Sequence, residues 1–435
     1  MKNFVKLIIK NNGILNTLFK FSLFFFNNVR KLIIILKSHI VQFKYKKLKI
    51  LKKKIFLSDK KIKVVFFITQ KQLWCHQTIY ENLLSNIKFE PIVIVFPNEH
   101  NKVNSKLDSL NDNLSFFKKQ NIRHMVGYDK EQGEYISLKQ INADIIFYDQ
   151  PVPRLPKKLL FFNANKHALI CYVPYGFKIA NFKQAHFNME LMNSSWKVFA
   201  ESSWHKDQFV KYGAMKGRNV VVSGYPKLDN YLENTKNSNL ILKKKFVKKV
   251  IWAPHWTVNY SSNFSTFDKN YIFFKMIAKK YSNIYWVFKP HQTLRYHLEE
   301  ISLMTRKEIN EYYKFWEKLP NGEFKNESDY FDIFKNSDAL ITDCGSFLAE
   351  YLPTKKPILH LVNTNSAGFN DIGKELLKSY YKAYDNNDIV NFLNDVIINN
   401  NDYLKDERLN NLALVKPNNT GAGKFIAELI NRELS

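Results

Sequence analysis

The 435-residue chain is poor in cysteine, in acid and in long apolar runs. Its three cysteines, Cys75, Cys171 and Cys344, lie far apart without paired spacing. Neither a disulfide framework nor a structural zinc site is therefore written into the chain, and a reducing cytosolic setting is expected. Only 39 Asp and Glu stand against 66 Lys and Arg, a formal net charge of +27. No apolar run reaches the roughly 18 to 20 uncharged residues that a membrane-spanning helix requires. With 45% hydrophobic and 24% charged residues, the composition is still that of a globular chain. It is long enough for two or three domains and a large core, which excludes a disordered protein and a small stapled scaffold.

The charge is unevenly placed. Residues 1 to 63 hold seventeen Lys or Arg and one acid, Asp59, so 16 of the 27 net charges lie in the first seventh of the chain. The apolar runs there, Ile14 to Phe19, Phe21 to Phe26 and Leu32 to Leu36, are broken by Lys20, by Arg30 with Lys31, and by Lys37. A small-residue cleavage site is missing, so a secretory signal is not read. Residues 1 to 55 read instead as basic amphipathic helix on an anionic membrane surface, facing the cytoplasm. Phe, Leu and Ile enter the acyl boundary, and each Lys at the headgroups adds about 1 kcal/mol. The plainer reading is a solvated basic helix packed on the body of the protein. Nucleic acid is not expected, because Phe24, Phe25 and Phe26 sit in an aliphatic context and no RNA or DNA module follows.

From Lys63 onward, short apolar runs alternate with longer mixed stretches, the pattern of strand and helix units that build parallel sheets. Candidate strands are Val64 to Ile68, Ile92 to Phe96, Ile145 to Tyr148, Leu169 to Val173, Val198 to Ala200 and Val220 to Ser223, then Val250 to Ala253, Tyr285 to Phe288, Ala339 to Thr342 and Ile358 to Leu361. Several are apolar throughout, as strands covered on both faces are. A polar stretch from Asn230 to Lys249 separates the two sets. The expected organisation is a basic helical segment over 1–58 and two doubly wound α/β domains over 59–235 and 236–435. No internal repeat is evident.

In open α/β sheets ligands bind beyond the carboxyl ends of the strands. Three such ends stand out: Trp252-Ala253-Pro254-His255-Trp256-Thr257, Phe288-Lys289-Pro290-His291-Gln292, and Thr342-Asp343-Cys344-Gly345-Ser346 leading into the helix-like Phe347 to Tyr351. The third can place free backbone N–H groups at a helix amino terminus, a natural seat for phosphate, with Gly345 allowing close approach and Ser346 adding a hydroxyl or a cap. His255 and His291 suit acid, base or charge-neutralising work, and Lys289 adds a cation. Taken singly, each has a plain structural reading: an N-cap without ligand, or a strand-end histidine bonded to a carbonyl. The acidic cluster Asp385-Asn386-Asn387-Asp388 reads as a helix cap, and no structural metal is expected.

These segments, in this order, resemble the CDP-glycerol:poly(glycerophosphate) glycerophosphotransferase family of teichoic acid and capsule assembly, whose pattern reads APTWR, KPHP and an ITDYSS-type turn. The resemblance extends over Lys356-Pro357-Ile358-Leu359 and, upstream, over Ser223-Gly224-Tyr225-Pro226-Lys227-Leu228-Asp229, which is similar to the family's GYPRND segment. It spans about residues 190–365. It implies a GT-B architecture with two Rossmann-like domains facing a cleft, a CDP-activated donor as substrate with no further cofactor, and a polysaccharide or lipid-linked acceptor whose hydroxyl displaces CMP. On that basis His291 and Lys289 are expected at the pyrophosphate, with Thr342, Asp343, Gly345 and Ser346 as its cradle.

The chain also departs from the family. The HGTPLK motif has no counterpart; Tyr172-Val173-Pro174-Tyr175-Gly176-Phe177-Lys178 stands in its place. His255 replaces a Thr, Thr257 an Arg, Gln292 a Pro and Cys344 a Tyr. Tyr175 and Lys178 are therefore candidates for the acceptor side and His186 for the base, against a plain reading of His186 as a helix-surface residue. Two alternatives stay open. One is a GT-B glycosyltransferase using a nucleotide sugar, with Glu350 at the ribose; the other is a catalytically inactive membrane scaffold of the same fold.

Overall fold

Runs such as Val64 to Ile68 have no polar side chain to offer water, so they are stable only where helices cover both faces of a parallel sheet. The computed structural model describes residues 13–98, 106–232, 246, 248–326, 330–415 and 420–435, and places those runs in that setting. Two parallel sheets form. The first has the order β3-β2-β1-β6-β7-β8-β9, built from β1 (Ile62–Ile68), β2 (Phe89–Val95), β3 (His124–Val126), β6 (Ile145–Tyr148), β7 (Leu169–Tyr172), β8 (Lys197–Ala200) and β9 (Val220–Val222). A small hairpin, β4 (Tyr128–Asp129) and β5 (Glu134–Tyr135), stands apart from it. The second sheet has the order β12-β11-β10-β13-β14-β15, from β10 (Lys248–Ala253), β11 (Ile284–Phe288), β12 (Gly322–Phe324), β13 (Ala339–Thr342), β14 (Ile358–Leu361) and β15 (Tyr381–Ala383). Every ladder in both sheets is parallel.

In each sheet the order reverses beside its first strand. β1 lies between β2 and β6, and β10 between β11 and β13. The loops that leave these neighbours run to opposite faces and open a crevice between them. Ten of the strands fall where the apolar runs predict them. β3, β12 and β15 were not expected: each is three residues long, at or near a sheet edge, with too little alternation to be read.

The expected basic helix is one long element, α1 (Gly13–Leu57), and residues 1–12 of that expectation lie outside the described ones. One face docks on the first domain. Tyr45, 1% exposed, donates its hydroxyl to the Ser194 carbonyl at 2.7 Å, and Gln42 donates to the Ser195 carbonyl at 2.7 Å. Lys52 pairs with Asp144 at 2.7 Å. The opposite face leaves Val29, Ile33, Leu36, Ile40 and Phe43 in solvent.

The second domain, expected to run to residue 435, gives up its end. The last helix, α4 (Ala422–Leu434), crosses back onto α2 (Gln77–Leu84) of the first domain. Asp229 ties it down: its carboxylate accepts the N–H groups of Ala422 and Gly423, both at 2.8 Å, and the Thr78 hydroxyl at 2.8 Å. That carboxylate therefore caps a helix nearly two hundred residues away, at the amino terminus where negative charge is favoured. The helices pack so closely that a Cβ added at Gly423 would lie 2.1 Å from Thr78 Oγ1 and 2.6 Å from its backbone carbon. Gly423→Ala is accordingly expected to destabilise the protein by about 1–3 kcal/mol, read as a lower urea midpoint at unchanged slope.

Candidate functional site

The site is built from the loops that leave the second sheet. β10 and β11 are paired neighbours, and their ladder continues past the strands: Lys289 N–H donates to the Trp252 carbonyl and His291 N–H to the Pro254 carbonyl, each at 2.9 Å. Pro254 and Pro290 donate nothing, so both loops peel away just beyond this point. The result brings the His255 and His291 rings to 5.2 Å, edge to face.

Each imidazole is oriented by its own loop. Thr293 N–H reaches His291 Nδ1 at 3.3 Å and the Thr293 hydroxyl lies 2.8 Å from it. Nδ1 is thus an acceptor, which assigns the proton to Nε2. His255 Nδ1 lies 2.9 Å from the Thr257 hydroxyl, which in turn accepts from Phe264 N–H at 3.0 Å. Burial lowers His255 to a pKa of about 4. The His291 side chain opens to solvent, yet the protein mass around it, then the His255 and Lys289 charges, hold it well below the ordinary histidine value. Both rings are neutral at neutral pH. Lys289 is buried at the end of β11.

The third strand end plays two distinct roles. Thr342 and Asp343, expected in a phosphate cradle, face inward. The Thr342 hydroxyl donates to the Ala253 carbonyl at 2.6 Å and accepts from Cys344 N–H at 3.0 Å. Asp343, fully buried, accepts from His255 N–H at 2.6 Å through Oδ1; through Oδ2 it accepts from Thr266 N–H at 2.6 Å and the Thr266 hydroxyl at 2.9 Å. Burial raises its pKa to about 6 against these three donors. It is a clamp that fixes the loop carrying His255. Gly345 and Ser346 open the short helix α3 (Gly345–Tyr351) and are partly exposed. They look across to the first domain: a Cβ on Gly345 would stand 3.8 Å from Ile179, and one on Gly176 would stand 3.7 Å from Ser346 Cβ. The Tyr175-Gly176 turn, which replaces HGTPLK, therefore lies directly opposite the α3 amino terminus. Tyr175 itself is 42% exposed.

Three expected site residues are placed elsewhere. Glu350, considered for a ribose, is 1% exposed. Its carboxylate accepts the Tyr330 hydroxyl, the Tyr225 hydroxyl at 3.1 Å and the Phe177 N–H. It joins the two domains and offers no open oxygen. Lys178, considered for the acceptor side, is buried in an ion pair with Glu201 at 3.1 Å and lies over the rings of Phe187 and Phe209. His186, considered as the base, packs edge-on against Phe182 and Phe187, its Nδ1 buried and its pKa lowered by burial to about 3. The Phe182 and Phe264 rings stand between it and His255.

The residues that sequence reasoning missed are the ones that hold the site. Thr266 carries no motif. Tyr225 lies in the quoted Ser223–Asp229 segment, and its hydroxyl reaches both the Tyr175 carbonyl, at 2.8 Å, and Glu350. Asp149, just past β6, repeats the Asp343 device in the first domain: one oxygen accepts both the N–H and the hydroxyl of Thr69, each at 2.7 Å.

Residues 175–365 match the model of the family described as CDP-Glycerol:Poly(glycerophosphate) glycerophosphotransferase. No curated protein matches the chain significantly. Among solved structures, a variant of the wall teichoic acid polymerase TagF soaked with CDPG is similar at a TM-score of 0.58 and 15% identity, over 94% of this chain and 98% of that one. MnaA from S. aureus, in a co-structure with UDP, gives 0.53 and 14%, over 85% and 95%. UDP-GlcNAc 2-epimerase from Neisseria meningitidis bound to UDP-GlcNAc gives 0.51 and 14%, over 86% and 99%. At these identities the structural likeness establishes the fold, α/β and GT-B-like. The family match itself is confined to residues 175–365, the segment that forms the cleft.

Proposed function

We propose that the protein transfers glycerol phosphate, or a related alditol phosphate, from a CDP-activated donor to a hydroxyl of a surface polysaccharide or lipid-linked acceptor, releasing CMP. The observation that carries this reading is the pairing of two neutral imidazoles, His255 and His291 at 5.2 Å, the first of them on a loop locked by Asp343, two residues before the α3 amino terminus. The family match supports the donor class, and the TagF structure soaked with CDPG shares the fold.

In the proposed step the acceptor oxygen forms a bond to the distal phosphorus. The bond from that phosphorus to the bridging oxygen breaks, and its electron pair leaves with CMP. The acceptor proton passes to His255. CMP leaves as a phosphate and needs little protonation, so the demands on the protein are position and charge. His291 faces the diphosphate through Nε2–H, with the Gly345 and Ser346 N–H groups at its far side, and buried Lys289 lends its positive charge from beneath. A bound dianion favours the charged form of a nearby imidazole, so it raises both histidines from their depressed values.

We further propose attachment to the cytoplasmic face of a membrane through α1. Its solvent face sets Val29, Ile33, Leu36, Ile40 and Phe43 at alternating spacings of four and three, the spacing of one helical stripe, and Lys37, Lys44 and Lys47 flank it. No described helix is long and apolar enough to cross a membrane.

Three outcomes are expected. His291→Ala and Ser346→Ala each lower CMP release from CDP-glycerol by about 10²-fold or more; turnover with a nucleotide sugar and none with any CDP-alditol would instead assign sugar transfer. Below pH about 6.5 unbound His255 stays neutral down to pH about 4, while a donor-bound histidine restored to its ordinary value charges. Donor binding therefore takes up protons between pH about 4.5 and 6.5, and affinity rises as pH falls through that window; calorimetry in buffers of different ionisation enthalpy reads the uptake. Finally, Ile40→Glu with Phe43→Glu is expected to weaken binding to phosphatidylglycerol vesicles at least tenfold, and added salt to weaken that of the unaltered protein.

A further inference from the structure

Away from the histidine pair, a cavity of about 240 Å³ opens on the flank of the cleft. Five segments wall it: the loop after β1, the start of α2, Phe116 with Gln120, the Pro226–Asn230 turn, and Tyr330 with Phe331 from the second domain. It lies below the roughly 300–1,000 Å³ of sites for drug-sized ligands. That is room for one six-carbon unit and too little for a nucleoside diphosphate.

Its chemistry narrows the occupant. Trp74 and Phe331 present apolar ring surface, and Gln72 and Asn230 bring neutral amides. The Trp74 N–H is already given to Gln77 at 2.8 Å, so the largely buried indole brings ring carbon to the wall and no free donor. Lys71 is engaged by Asp112 at 2.6 Å. The remaining cation on the wall is Lys227, partly exposed, whose ammonium lies 3.5 Å from the Tyr330 hydroxyl and 5.5 Å over its ring. Ring faces suit the C–H surfaces of a sugar or alditol, amides suit its hydroxyls, and one ammonium suits one phosphodiester.

Position ties the cavity to the reaction. Tyr330 donates to Glu350 of α3, and its ring lies 4.7 Å from that of Phe347 on the same helix. The cavity therefore sits on the side of the helix whose first turn faces Gly176, and it is complete only with both domains in place.

We infer that this cavity is an acceptor subsite, which holds one polyhydroxylated unit of the acceptor chain by Trp74, Gln72 and Asn230, with an adjoining phosphodiester on Lys227. The inference rests on the transfer reading above for the identity of the acceptor, not for the existence of the site. The test uses the full chain without donor, titrated calorimetrically with tetra(glycerol phosphate) and with maltotetraose, for the unaltered protein, Lys227→Gln and the cavity-filling Gln72→Trp. Binding of either probe by the unaltered protein, weakened at least tenfold in both variants at unchanged melting temperature and donor affinity, supports the subsite. A larger Lys227→Gln effect on the phosphate polymer than on the glucan identifies an alditol phosphate unit, and equal effects a sugar. No binding of either probe, or binding that survives Gln72→Trp, overturns it. If the unaltered protein binds the tetramer but never releases CMP from CDP-glycerol, the transfer reading fails and the subsite stands.

Discussion

The carboxylate of Asp343 is the constraint on which the candidate site depends. Taken wholly out of water, it would be costly to ionise were it not shared among two backbone N–H groups and one hydroxyl. Those donors belong to residues 255 and 266, the two ends of the loop that leaves β10 between β11 and β13, whose connections run to opposite faces. A switch point is by construction a place where neighbouring loops diverge. The same solution occurs in the first sheet, where Asp149 beyond β6 holds Thr69 beyond β1. In both domains an acid at the end of the strand on one side of the crevice ties the loop after the first strand, and so keeps the crevice open with fixed walls.

A second buried carboxylate decides how the domains meet. Glu350 collects Tyr330 from its own domain with Tyr225 and the Phe177 N–H from the other, while Tyr231 donates to its carbonyl at 2.8 Å. An interface of this kind is directional, because each donor must point at one group, and truncating a partner leaves a buried charge under-satisfied. It also explains why Ser223 to Asp229, remote in sequence from the histidines, belongs with them. Tyr225 sets the Tyr175 turn against α3, and Asp229 pins the helix that returns from the second domain.

The fold was legible because burial on both faces leaves a plain mark. Ten strands are apolar runs of four or more residues, or nearly so, whereas β3, β12 and β15 satisfy their hydrogen bonds at an edge with little apolar content and carry no such mark. The cap at Asp385 was legible for a different reason: its partner, Asp388, is three residues away. At the site, the segments were visible and the roles were not. The partners of Asp343 lie 77 and 88 residues away, and the Tyr225 hydroxyl on Glu350 comes from 125 away, so nothing local distinguishes a carboxylate that clamps a loop from one that meets a ligand. Lys178 and His186 misled in the same way. A lysine and a histidine beside a replaced motif read as chemistry, but Glu201 in one case and two phenyl rings in the other had already claimed them.

The docking of α1 has a consequence for how an acceptor is presented. Its buried face is tied to the first domain at Ser194, Ser195 and Asp144, and Glu433 of α4 receives both Lys49 of α1 and Lys197 of β8. These contacts come from three separate places in the chain, so the helix cannot pivot without breaking several at once. Under the proposed attachment, the membrane plane is then fixed relative to the first sheet. The turn at Tyr175 and Gly176 keeps a set height above the lipid, and an acceptor anchored in that lipid meets it at a set distance along its own length. The second domain, joined through the Glu350 cluster and the return to α4, is the part left to bring the donor to it.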